Sequence, residues 1–244
     1  MAAGAFRPLP LFKNSKMYKA VVVALSSKLK GMTRQEIAEA VGVGNGGTLS
    51  EILENLCRCE FLRKYVPFGK TTKDAFYQLS DMFSLFYLRF EKECGQDEKF
   101  WSNTQNRGER RAWSGYAFEQ VCMIHLQQIK ESIGIGGVLC NSYGWSCKPF
   151  KDSDGAEWDG TQVDLVLDRA DNIVNLCEMK FSNEEFVISK DYEKTLRDRI
   201  ALFKHVTKTK KAVTNVLVST YGIKRNMHSS VIQSEVTTEG LFKG

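Results

Sequence analysis

The stretch QVDLVLDRADNIVNLCEMKF, Gln162 to Phe181, reads as a β-hairpin. Gln162 to Asp168 is the first strand, Arg169 to Asn172 the turn, and Ile173 to Phe181 the second strand. Ile173, Val174, Leu176 and Cys177 are apolar enough for a buried strand, where an unpaired charge is costly. A turn centred on Asp171 sets Asp164 opposite Glu178, with Cβ atoms ~5 Å apart on one face. Lys180 follows Glu178 by two residues, so the strand period puts its ammonium on that face too. Facing carboxylates destabilise a hairpin unless a cation lies between them. A hard divalent ion such as Mg²⁺ or Mn²⁺ meets that need with one or two carboxylates, water and substrate phosphate. Lys180 then orients water and stabilises phosphate charge. The same three residues also read as a solvated, salt-bridged edge.

Outward from the hairpin, Ala112 to Ile129 has helical period, Gly134 to Gly137 breaks it, and Val138 to Cys147 is a strand. Pro149 to Gly160 is an acidic loop that lacks EF-hand spacing. A basic helix covers Ser189 to Val206, and Ala212 to Ser219 is a buried strand. This order of elements predicts an α/β sandwich around a mixed sheet. Glu119 interrupts the apolar start of the first helix (Tyr116, Phe118, Val121, Ile124, Leu126), and packing across the sheet would aim it at the same ion. The segment 186–211 holds eight basic residues and three acids. Lys190, Lys194 and Arg197 within it are candidate phosphate contacts, and a solvated helix face is the other reading.

The first half is helix-rich. Met17, Val21, Val22, Leu25 and Leu29 recur at helical spacing, Thr33 and Glu36 form a capping box, and Thr48 with Glu51 forms a second. Gly42 to Gly47 fits GxGxxG, but a helix precedes it where the dinucleotide fingerprint needs a strand, so it is a turn between helices. Strands at Phe61 to Val66 and Ala75 to Leu79 flank the turn Pro67 to Lys70. Three helices and a hairpin predict a winged helix-turn-helix, the α+β part of the chain. Its third helix, Thr48 to Cys57, is the one placed for the major groove, and it carries Glu51 and Glu54, which phosphates would repel. The basic residues are in the wing: Arg63, Lys64, Lys70 and Lys73, placed for a nucleic-acid backbone or a partner. The expected organisation is a tail at 1–14, the winged helix with an aromatic connecting helix at 15–92, a linker at 93–108 and the sandwich at 109–244.

Gly115 to Glu119 on a helix, Asp164 on a strand and Glu178-Met179-Lys180 on the next resemble the PD-(D/E)xK nuclease superfamily. From about Leu11 to Phe242 the chain is similar to the C-terminal region of prokaryotic AAA-type ATPases, where a winged helix precedes a nuclease-like domain. The resemblance implies a restriction-endonuclease-like fold, with Glu119, Asp164, Glu178 and Lys180 at the active-site positions. It implies Mg²⁺- or Mn²⁺-dependent hydrolysis of DNA phosphodiesters. Family members carry an upstream P-loop ATPase domain, whereas no GxxxxGK[ST] occurs in this chain. That leaves no ATP site here and an ATPase domain or subunit as an expected partner. A catalytically inactive DNA- or protein-binding regulatory module is the alternative.

Composition sets the outer bounds. With 43% apolar and 26% charged residues the chain is that of a globular protein. Its longest apolar runs, Met17 to Leu25 and Met82 to Phe90, contain Lys19 and Arg89 and fall short of the ~20 residues of a membrane span. The start, with Arg7 and two prolines, lacks the pattern of a secretory signal. Seven cysteines, an odd number with scattered spacing, suit the reducing cytoplasm. Neither they nor the three histidines make a zinc pattern. A net charge of +5 is too small to select a partner.

Overall fold

The computed structural model describes residues 14–95 and 97–243. The expected 1–14 tail, apart from Asn14, and the N-terminal signal reading lie outside these residues. Contacts divide the chain into two units, one from Met1–Val66 and Lys70–Asn103, the other from Pro67–Gly69 and Thr104–Gly244. No described helix is long and apolar enough to cross a membrane.

The first unit contains α1 (Ser15–Ser26), β1 (Met32–Thr33), α2 (Arg34–Val41), α3 (Gly47–Arg58), β2 (Leu62–Tyr65), β3 (Phe76–Leu79), α4 (Met82–Cys94) and α5 (Phe100–Asn103). Its antiparallel sheet has the order β1-β3-β2. Val21, Val22 and Leu25 of α1 are buried as the spacing predicts, but α1 stops at Ser26 and leaves Leu29 outside. The Thr33 capping box forms with both bonds: Thr33 Oγ1 accepts from Glu36 N–H and Glu36 accepts from Thr33 N–H (2.7 Å). The Thr48 box does not form. Helix α3 begins at Gly47 behind Gly46, two residues too early for Thr48 to be its cap. Phe90 of α4 packs on Phe100 and Trp101, so a segment expected as polar linker contributes an aromatic core.

The second unit contains α6 (Gly108–Ile124), α7 (Leu126–Ser132), β4 (Cys140–Cys147), β5 (Phe150–Lys151), β6 (Glu157–Trp158), β7 (Thr161–Arg169) and β8 (Ile173–Lys180). Then follow β9 (Phe186–Val187), α8 (Lys190–Thr207), β10 (Ala212–Ser219), β11 (Ile223–Lys224), β12 (Ser234–Thr237) and α9 (Thr238–Leu241). The main sheet is mixed and five-stranded, in the order β12-β10-β8-β7-β4. β4, β7 and β8 pair antiparallel, and β8, β10 and β12 parallel.

Alternation along β8 sends Cys177 and Met179 to one face, into a core with Phe118, Cys122, Ile129 and Leu241 of the α6, α7 and α9 side. Val174 and Leu176 point to the other face, against Leu202 and Phe203 of α8. Ile124, expected in the core, is 69% exposed. It is the last residue of α6, where the helix breaks at His125 and turns its final position outward. Phe68, in the expected turn Pro67 to Lys70, belongs to this unit: its ring packs edge-on against Tyr143 at 5.4 Å and near Phe203 at 5.2 Å.

Candidate functional site: a carboxylate pair with two cations

The predicted hairpin register is present. Leu165 faces Cys177, Val166 faces Leu176 and Leu167 faces Asn175. One step further along the same register, Asp164 comes opposite Glu178. There the regular ladder gives way, and Asp164 Oδ2 accepts the N–H of Met179 at 3.1 Å. The cause lies on the other side of β7. Tyr143 faces Val166 and Trp145 faces Val163, so Asp164 and Leu165 together oppose Gly144 alone. Such a bulge bends a strand and re-aims its side chains.

Asp164 is the less compensated member of the pair. Burial, then the neighbouring Glu178 carboxylate, pushes its pKa up to about 6 from the usual 3.8. Its Oδ1 accepts no hydrogen bond among the described residues. Glu178, 6% exposed, is the opposite case. Burial works against its ionised form, but Arg199 and Lys180 outweigh that and hold its carboxyl below the usual range. Lys180 Nζ lies 2.6 Å from Oε1. Arg199 Nη1 donates to Oε2, and Arg199 Nε donates to Thr161 Oγ1 at 3.2 Å. Two acids thus meet two cations. The sequence argument that only a divalent ion could reconcile Asp164 with Glu178 therefore does not hold for Glu178, whose charge the protein neutralises itself.

Lys180 is the exposed edge of this group, with about a third of its side chain open to solvent. Its ammonium stands 5.8 Å from the Tyr192 ring centre. The Tyr192 hydroxyl is buried without a well-formed hydrogen bond, and burial together with Glu178 pushes the phenol pKa up.

Glu119, on α6, is half-buried. Burial raises the Cys122 thiol, and the Glu119 and Asp164 carboxylates add to that shift. Among the described residues no three His, Cys, Asp or Glu side chains are grouped to hold a metal. Asp164 and Glu178 fit a hard divalent ion in donor type and number, since such an ion takes one or two carboxylates and fills its shell with water. The oxygen without a hydrogen bond on Asp164 suits it. On Glu178 the ion would have to share or replace a cationic partner.

Arg199 was not singled out from the sequence, where it is one of eight basic residues in its segment. A signal was present. It falls three residues after Leu196 and three before Leu202, inside the apolar stripe of α8, and is only 9% exposed. Lys190, Lys194, Arg197 and Lys204 lie on the opposite, exposed face. Their offsets of 4, 7 and 14 residues line them up over ~21 Å of helix. Arg197 is tied to Glu193 at 2.7 Å.

In the first unit, Arg63 donates to Gln78 at 2.6 Å across the sheet, and Lys64 lies over the Tyr77 ring. Lys70 and Lys73 are exposed. The acidic loop is engaged in its own turn: Asp152 accepts from Trp158 Nε1 and from the N–H groups of Asp154 and Ala156. No family model matches the chain, and no curated protein matches it.

Proposed function

We propose that the second unit is a nuclease-like domain of the restriction-endonuclease type, hydrolysing DNA phosphodiesters in the cytoplasm, and that the first unit is a winged helix. One observation carries this reading: Asp164, Glu178 and Lys180 come together on adjacent central strands, where a bulge re-aims Asp164. The mixed sheet with helices on both faces, and the three helices before a small antiparallel sheet, support the two fold assignments.

Asp164 and Glu178 would hold Mg²⁺ or Mn²⁺, with Glu119 of α6 as the further acid. The ion would supply an activated water and charge stabilisation at phosphate. Lys180, at the solvent edge, would donate to a phosphate oxygen while Glu178 holds its ammonium in place. The outer face of α8, through Lys190, Lys194 and Arg197, would follow the backbone of the nucleic acid, with Arg63, Lys64, Lys70 and Lys73 as the corresponding wing residues.

A second reading has one observation in its favour. Because Arg199 and Lys180 already neutralise Glu178, the site is charge-balanced without a metal, as a catalytically inactive regulatory module of a P-loop ATPase would be. The two readings part in one experiment. The purified chain is incubated with plasmid and single-stranded DNA in Mg²⁺ or Mn²⁺, beside Asp164→Asn and Lys180→Met. The nuclease reading expects cleavage that falls by about a hundredfold or more in both variants. Absent cleavage, or cleavage unchanged by either substitution, overturns it.

A further inference from the structure

Arg199 reaches the carboxylate pair from the helix layer, and nothing in the hairpin requires it. Its guanidinium keeps its proton at every accessible pH, so the charge it presents to Glu178 is permanent. It is fixed at both ends of its fork, to Glu178 Oε2 through Nη1 and to Thr161 Oγ1 through Nε. Leu196, Leu202 and Phe203, all fully or almost fully buried, lock the helix face that carries it. Lys180 takes the other oxygen of Glu178. Each oxygen of Glu178 is thus engaged by a protein cation, while Asp164 Oδ1 accepts no hydrogen bond among the described residues.

We infer that Arg199 is a positioning residue that acts as the resident counter-ion of Glu178, occupying the place a divalent ion needs and so setting a threshold on metal uptake. This rests on the metal-dependent reading of the same site and names its regulation.

The test uses the full chain and Mn²⁺ alone. Binding by calorimetry and the shift of Tm with Mn²⁺ are measured for wild type, Arg199→Met, Arg199→Gln, and Arg199→Met combined with Glu178→Gln. Removing one full charge beside the ligand is expected to tighten Mn²⁺ binding by roughly tenfold or more in both single variants. Mn²⁺ should raise their Tm more than that of wild type, since the ion then replaces the lost cation. Glu178→Gln should abolish the gain. Arg199→Gln keeps a hydrogen-bond donor at the position and serves where Arg199→Met does not fold. Binding no tighter than wild type in a folded Arg199 variant, or a gain that survives Glu178→Gln, overturns the inference. DNA cleavage followed in the same samples separates the two claims. Cleavage by wild type with unchanged Mn²⁺ affinity in the variants leaves the nuclease reading and removes this one. Tighter Mn²⁺ binding with no cleavage in any sample does the reverse.

Discussion

Arg199 on α8 donates to the carboxylate of Glu178 on β8, and both side chains are less than a tenth exposed. The pair joins the helix layer to the centre of the sheet. A buried ion pair recovers its desolvation cost only with good geometry and further hydrogen bonds. Here Thr161 and Lys180 supply them.

Breaking the pair from one side leaves a buried charge alone. Glu178→Leu is expected to lower stability by about 3–5 kcal/mol. Arg199→Met with Glu178→Leu should cost clearly less than the sum of the single changes, because the charge stranded by each is gone in the double variant. Urea unfolding of the four proteins, with unchanged m values, measures the coupling.

Asp164 gives a pH dependence of defined sign. Its folded pKa of about 6 lies above the usual 3.8, so the folded protein holds this proton more tightly than the unfolded chain. The ionised form therefore weakens the fold. That cost is absent below about pH 4, grows as pH rises toward 6, and is complete above it. Two pKa units correspond to ~3 kcal/mol, and partial solvent access reduces this to about 2 kcal/mol. Asp164→Asn should accordingly be more stable than wild type by about that much at pH 7.5, with the difference vanishing near pH 4. Urea midpoints of the two proteins measured across this range test it.

The exposed row on α8 predicts a salt dependence. Each phosphate contact contributes ~0.9 to the slope of log K against log salt on duplex DNA and ~0.7 on single strands. Lys190→Ala, Lys194→Ala and Lys204→Ala together should reduce the slope by about 2–3 and weaken binding to the same degree for unrelated sequences. Fluorescence anisotropy at several salt concentrations reads both. An unchanged slope would assign this face to plain solvation.

Gly31 and Gly44 form a contrasting pair in the first unit. Gly31 has φ +84°, and a Cβ there would sit 2.6 Å from the Tyr77 carbonyl oxygen. Gly31→Ala is expected to cost about 1–3 kcal/mol from backbone strain, with the contact adding to it. A Cβ at Gly44 meets nothing within 4 Å. Gly44→Ala should be neutral or stabilising by up to about 1 kcal/mol. Thermal melting of the two variants checks the difference.

Local patterns in the sequence determined a good deal of this protein. The hairpin register, the burial of Val21, Val22 and Leu25, the Thr33–Glu36 cap and the strand Ala212–Ser219 all follow from side-chain period and short-range hydrogen bonding. Such signals act over a few residues, and they are written where they act. The placement of Lys180 beside Glu178 is of this kind, because a strand returns to the same face every second residue.

Tertiary structure decided the rest. The bulge at Asp164 and Leu165 depends on how β4 pairs with β7, and nothing within either strand announces it. The fifth strand, β12, and the packing of Phe90 on Phe100 and Trp101 likewise depend on partners elsewhere in the chain. Above all, the neutralisation of Glu178 depends on a residue from another layer. Sequence period could show Arg199 inside an apolar stripe, but only the packing of α8 onto the sheet fixed which acid it meets, because a buried charge takes its partner from whatever the fold brings within a few ångströms.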